Sequence, residues 1–359
     1  MRAAITITAV LLAAAASVGA QEDPARRPEA VLLQGLPIAF PADVDSNSPA
    51  FWADGLLHVF NSLHLPYLSE GRNVARLTDP VGVVFHGGVS GPRWMESVIQ
   101  DEDGTLYGFY HHEPAGLCSG STKTAPQIGA ARSRDGGFGW DDLGIILSAP
   151  PNSRRCVTEN LYFAGGEGDF SAVLDRDRGY VYFAFSAYPS AIEGQGIAAA
   201  RMAWADRDRP VGRVFKWRAG EWTVPGVGGR ATPIYAARVS WHEGSADVFW
   251  GPSVHWNTFL EKYVMLMTRA SDSAFATAGI YVAYADRLDD PPAWSEPRIL
   301  LQGGAWYPQV MGFERSRGTD ALAGQYARFF MGGRSDFLIR FARAATSSTA
   351  ASTRQRRLD

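Results

Sequence analysis

The chain has 359 residues, with 34 basic and 37 acidic side chains and a formal net charge of −3. That near balance, with no long basic run before the tail, argues against nucleic acid or an anionic membrane surface as a partner. The 11 Trp, 19 Phe, 13 Tyr and 38 Gly, set against only 20% charged residues, point to an all-β chain long enough to bury one large core.

At the N-terminus Arg2 precedes an apolar stretch from Ala3 to Ala16, and Ser17-Val18-Gly19-Ala20 supplies small residues before Gln21. This is the anatomy of a secretory signal peptide over 1–20, cleaved near Ala20. The run is shorter than the roughly 20 apolar residues of a membrane anchor, and no later segment reads as a span. A secreted or periplasmic location is therefore expected. In an oxidising compartment Cys118 and Cys156 are expected to form one disulfide, with two buried free thiols as the alternative.

From residue 48 onward one pattern returns five times: a short strand, a turn, then a strand rich in aromatic and β-branched residues. The copies begin at Ser48-Pro49-Ala50-Phe51-Trp52, Met95-Glu96-Ser97-Val98-Ile99, Asp169-Phe170-Ser171-Ala172-Val173, Gly251-Pro252-Ser253-Val254-His255 and Tyr307-Pro308-Gln309-Val310-Met311. Third and fourth strands are legible after three of them, at Ile128–Ser133 with Leu143–Leu147, Gly196–Ala200 with Phe215–Trp217, and Ile280–Tyr284 with Pro297–Leu300. Two hairpins per repeat make a four-stranded blade, so residues 21–343 are expected to form a five-bladed β-propeller, with a two-sheet sandwich as the competing fold. The segment 344–359, rich in Ala, Ser, Thr and Arg, reads as a disordered tail.

In a propeller the starts of the first strands and the ends of the second strands converge on one mouth of the axial channel. That geometry selects Asp45, Asn47, Glu96, Asp169, Trp250, Tyr307 and Gln309, together with His111, His112, Glu113 and Arg334. Acids suit glycosidic chemistry and flat aromatic faces suit sugar rings, so a carbohydrate is the expected ligand. His255, with His111 and His112, is a candidate for binding sugar hydroxyls; packed, hydrogen-bonded histidines are the plainer reading, and no spacing matches a metal motif.

Two resemblances follow from these residues. Ser133-Arg134-Asp135-Gly136-Gly137-Phe138-Gly139-Trp140 resembles the Asp-box turn of sialidases and related propellers, a structural motif. The propeller as a whole resembles the five-bladed glycosidases that include arabinanases, β-xylosidases and invertase-like enzymes. Its clearest stretch is Gly168-Asp169-Phe170-Ser171-Ala172-Val173-Leu174-Asp175. This resemblance implies that Asp169 tunes the proton donor and orients substrate; a turn acid at a strand start is the alternative. Asp45, three residues before Ser48-Pro49, is the candidate for the first-blade base. The fourth-blade acid is replaced in Trp250-Gly251-Pro252. Glu96 sits one residue out of register, and such a shift reverses the facing side of a strand. Glu159 and Glu113 are candidate substitute donors.

The sequence thus supports a glycoside hydrolase-like enzyme acting through Asp45, Glu96, Asp169 and Glu159. A carbohydrate-binding propeller that has lost its acid is the alternative, and a sialidase-like enzyme the third. Neither a cofactor nor a partner chain is expected, with a structural calcium in the channel left open.

Overall fold

A computed structural model describes residues 28–175 and 177–344; the expected signal peptide over 1–20 and the expected tail, but for Ala344, lie outside them. The described chain is almost wholly strand, arranged as five mainly antiparallel sheets that form a five-bladed propeller. Blade 1 runs from its inner strand Ala50–Ala53 through Leu56–Leu63 and Leu65–Gly71 to Val81–Gly82. Blade 2 contains Arg93–Gln100, Leu106–His112, Gln127–Ser133 and Gly139–Ser148, and Val84–His86 adds in parallel at its outer edge. Blade 3 contains Glu167–Asp175, Tyr180–Ala187, Gly196–Ala203, Val214–Arg218 and Glu221–Pro225; blade 4 contains Val248–Asn257, Lys262–Ala270, Thr277–Ala285 and Arg298–Gln302. Blade 5 is built from both ends of the chain. Gln309–Gly312, Tyr326–Met331 and Arg334–Ala342 are completed by Glu29–Ala39, which pairs antiparallel with Arg334–Ala342 from Glu29↔Ala342 to Ala39↔Arg334.

The hydrophobic core is not central but divided among the seams between blades. Phe60, Leu68, Met95 and Trp140 join blades 1 and 2; Phe109, Ile146, Phe170 and Phe183 join blades 2 and 3; Val173, Tyr182, Met265 and Ala283 join blades 3 and 4. Val264, Leu266, Phe329 and Phe341 join blades 4 and 5, and Phe40, Val59, Met311 and Phe330 close the ring. The inner strands and their hairpin partners, such as Leu106–His112 and Glu167–Asp175, are buried on both faces because each sheet is packed between two others, whereas outer strands such as Glu29–Ala39 and Glu221–Pro225 are partly exposed.

The turn Ser133–Trp140 fixes one seam. Asp135 Oδ1 accepts from the Ser133 hydroxyl at 2.8 Å and the Gly139 amide at 2.9 Å, and the fully buried Trp140 donates its indole N–H to Gly137 at 2.7 Å.

Except for Trp256 and Asn257, which pair in parallel with Leu322 and Ala323, the inner strands have no strand neighbour on their channel side, so their backbone groups need other partners. Side chains from adjacent blades supply them. Ser97 Oγ accepts from Ala172 N–H at 2.8 Å, Ser171 Oγ from Val254 N–H at 3.0 Å, and Asp320 Oδ1 from Ala50 N–H at 2.8 Å. Asn47 donates to the carbonyls of Phe170 and Pro252 at 2.8 and 3.0 Å, while Gln309 brackets the backbone of Ser48, accepting from its N–H at 2.6 Å and donating to its carbonyl at 3.0 Å.

Candidate active site

The inner strands of blades 2 and 3 are interrupted at their acids. The register of blade 2 shifts between Met95 and Ser97, leaving Glu96 without an opposing residue. That of blade 3 shifts between Gly168 and Phe170, leaving Asp169, whose φ is +42°. Such bulges re-aim the extra residue's side chain. The bulge therefore cancels the one-residue offset at Glu96: Glu96, His111 and Asp169 place donor atoms within 4.8 Å of one another.

His111 stands at the centre of this cluster. Its Nδ1 accepts the Asp169 amide N–H at 3.1 Å and lies 3.4 Å from Glu96 Oε1, and its Nε2 is 3.2 Å from Glu113 Oε1. Glu96 Oε2 accepts the Phe170 N–H at 2.8 Å. The Asp169 carboxylate accepts from the hydroxyls of Tyr188 and, at 3.2 Å, Tyr307. Gly168 makes the approach possible, since a Cβ there would sit 2.6 Å from the His111 ring. The same three side chains carry metal-ligand atoms, and here hydrogen bonds engage His111 Nδ1 and both Asp169 oxygens.

Over the cluster opens a cavity of about 440 Å³ lined by Asp45, His64, His111, Glu113 and Asp169 and walled by aromatic rings including Trp94, Tyr162, Trp250, Phe275 and Trp306. The starts of the inner strands bring Asp45, Asp169, Trp250 and Tyr307 here. Four of the eight non-glycine residues with positive φ among the described residues, His64, Asp169, Phe275 and Tyr307, line this cavity. Backbone strain concentrates where a site over-determines geometry. A larger cavity, about 700 Å³, lies at the far ends of the inner strands beside Trp52, Trp256 and Arg317. It holds none of the converging acids, so the smaller cavity is the candidate site.

The carboxyl groups perturb one another. Burial, then the nearby Asp169 and Glu113, push Asp45 up to about 6. Burial pushes Glu96 up to about 7, with Asp169 adding to the effect and His111 opposing it. Burial also raises Asp169, against His111 and its tyrosine partners. For His111 burial favours the neutral ring, but Glu113, Glu96 and Asp169 outweigh it and hold the imidazole well above its ordinary value. The Asp169 amide bond requires the neutral ring, whereas the acids favour the imidazolium. Nδ1 thus faces two competing partners, the Asp169 amide and Glu96 Oε1.

Several candidates sit elsewhere or serve the scaffold. Asn47 and Gln309 are buried and committed to the inner-edge backbone. His112 alternates away from His111, with its Nδ1 on the Pro92 carbonyl at 2.9 Å. His255 is fully buried at 5.6 Å from the Phe341 ring. Glu159 is exposed in a separate surface depression beside His242. Arg334 is exposed at the start of the third strand of blade 5, outside the cavity lining, because the second strand ends at Met331. Cys118 and Cys156 form a disulfide, Cα–Cα 5.6 Å, which joins two loops that also pair through Thr124 N–H to Tyr162 at 3.0 Å and Ala164 N–H to Thr124 at 2.7 Å. Together these loops make one wall of the cavity. Tyr162, Phe163, Phe275 and Trp306 are lining residues the repeat pattern does not single out: Tyr162, Phe163 and Trp306 come from loops between blades, and Phe275 from the turn between the second and third strands of blade 4. The available signal was Asn160, whose Oδ1 accepts the N–H groups of Tyr162 and Phe163 at 2.9 and 2.8 Å.

Compared by sequence, the chain matches no family model and no curated protein. Compared by structure, it is similar to an exo-1,5-alpha-L-arabinanase from a bovine ruminal metagenomic library, at 13% identity and a TM-score of 0.53, over 85% of this chain and 94% of that one. A putative exo-beta-1,3-galactanase from Bifidobacterium bifidum (13%, TM-score 0.48, 86% and 93%) and an arabinanase from Bacillus subtilis (13%, 0.46, 85% and 96%) also match. At this identity the likeness concerns the fold alone: the chain is a five-bladed propeller, as its own sheets show.

Proposed function

We propose that the protein is an exported glycoside hydrolase that binds the end or a short segment of a glycan in the aromatic cavity and cleaves it with two carboxyl groups. The observation that carries this reading is the convergence of Asp45, Glu113 and Asp169 from three blades on one ring-lined cavity. Asp45 makes no side-chain hydrogen bond or ion pair with a described residue, and Glu113 keeps one oxygen beyond its contact with His111; both are free to meet substrate. In this reading Asp45 is the base that activates water, and Glu113 gives its proton to the leaving oxygen. Asp169, with both oxygens held by tyrosines, orients the sugar and tunes Asp45. Export rests on the leader sequence, and a monomer suffices because one chain completes the cavity.

Trp250 favours a second reading, a lectin-like propeller. An indole stands where the resemblance expects the fourth-blade acid, and its N–H is buried without a partner among the described residues. No lysine or arginine lines the cavity, so nothing favours a sialidase-like clamp on a carboxylated sugar. Activity on a panel of aryl-glycosides and plant or bacterial glycans, alongside Asp169→Asn, decides among these. Hydrolysis that falls at least 100-fold in the variant supports the enzyme. Saccharide binding without turnover by the unmodified protein supports the lectin-like reading.

A further inference from the structure

Glu96 is an expensive residue that the proposed chemistry does not use. It is 1% exposed, lies behind the cavity wall, and reaches no substrate position. Burying a carboxyl group costs several kcal/mol unless its oxygens are satisfied. One oxygen is: Oε2 takes the Phe170 N–H. The other, Oε1, is buried without a hydrogen-bond partner and faces His111 Nδ1 at 3.4 Å. The far nitrogen of that ring lies 3.2 Å from Glu113 Oε1, and Glu113, with 28% of its side chain exposed, stands on the cavity lining. Three groups thus succeed one another from a dry interior to the cavity: Glu96 Oε1, the two nitrogens of His111, and Glu113.

We propose that Glu96–His111–Glu113 is a proton relay, in which the buried Glu96 holds a proton in reserve and His111 passes one to Glu113, so that Glu113 acts as general acid without drawing its proton from solvent. This rests on the glycosidase reading above. The neighbouring acids favour an imidazolium, and the relay runs from the neutral tautomer that the Asp169 amide selects: Glu96 Oε1–H faces Nδ1, and the ring carries its proton on Nε2 towards Glu113. As Glu113 protonates the leaving oxygen, it becomes a carboxylate and takes the Nε2 proton. The O–H bond of Glu96 breaks, its proton moves to Nδ1, and the ring is left in the opposite tautomer with Glu96 ionised. The proton taken by the base from water returns through the cavity and resets the chain; no oxidant or co-reactant is involved. The orphaned Glu96 Oε1 acquires a partner in both states: as donor before transfer, as acceptor after it. The competing Asp169 amide at 3.1 Å bonds to Nδ1 before transfer and loses that acceptor after it, which favours return to the starting tautomer. Bulge and burial both serve this role: the first aims Glu96 at the ring, the second raises its proton affinity, as Asp169 also does. The remaining titratable groups facing the relay are Asp45 and His64 from blade 1, Tyr188 from blade 3 and Tyr307 from blade 5.

Glu96→Gln keeps an acceptor for the Phe170 amide but holds no transferable proton. On the best substrate of the panel, kcat should fall about 30-fold with KM unchanged, and the alkaline limb of the pH profile should move to lower pH. The proton inventory of kcat in H2O/D2O mixtures should change from bowed to straight. A variant with unaltered kcat, limb and inventory overturns the relay. If Glu96→Gln does not fold, His111→Asn breaks the chain at its middle and should move the same limb. Nitrogen-15 NMR of His111 gives an arm independent of turnover: the ring should titrate together with Glu96, and a titration unmoved by Glu96→Gln overturns proton sharing. Absence of any turnover by the unmodified protein overturns the glycosidase reading instead, while the NMR arm still decides whether the proton is shared.

Discussion

Asp45 shows how little of a site's behaviour resides in the residue alone. A solvated Asp would be ionised at any pH near neutrality; here burial and two neighbouring carboxyls place its titration at about 6. As the base it must be ionised, so hydrolysis should rise with pH through about 6 and lose that limb in Asp45→Asn, as measured by kcat/KM between pH 4 and 8. The sequence could nominate Asp45, Glu113, His111 and Asp169, because strand starts and ends converge in any propeller. It could not assign Glu96, since strand alternation turns it away and only the bulge turns it back. Nor could it separate ligand-facing polar groups from scaffold ones. Asn47 and Gln309 have the residue types and positions of sugar binders, yet their hydrogen-bonding capacity is spent on the open edges of inner strands.

At the level of strands, the hairpin pairs of all five blades were legible from alternating turns and β-branched runs, with ends displaced by one to three residues. The outer half of blade 1 was not. Leu65–Gly71 carries Pro66, Ser69 and Glu70, and Val81–Gly82 is too short to show a period. One inner strand carries an unusual burden. His255, in Val248–Asn257, is fully buried with neither ring nitrogen hydrogen-bonded among the described residues, and burial lowers its pKa to about 3. The unfolded chain takes up this proton near 6.5, the folded one only near 3. Between those values the unfolded state therefore binds more protons, and stability falls as the pH is lowered. By pH 5 this one residue should cost about 2 kcal/mol. Urea midpoints at pH 7 and pH 5 should converge in His255→Phe relative to the unmodified protein.

The whole molecule depends on two ties that bring distant segments together. The disulfide closes a loop with a sequence separation of 38, and constraining such a loop in the unfolded chain contributes roughly 4 kcal/mol. Since both bridged loops form the cavity wall, Cys118→Ser with Cys156→Ser should lower the thermal midpoint and also weaken saccharide binding, both read by melts with and without ligand. Loss of stability with unchanged ligand response would place the bridge outside the site's support. The second tie is the first described strand, lying against the last.

That seam has a topological consequence. With Glu29 opposite Ala342, the described polypeptide is nearly a closed circle whose one gap lies on the outer rim of a blade. The position of the gap is then a matter of gene order more than of architecture. A short linker from 343 to 28, with new ends opened at the exposed turn Asp101–Gly104, would give a chain of different order and the same five seams, the cavity untouched.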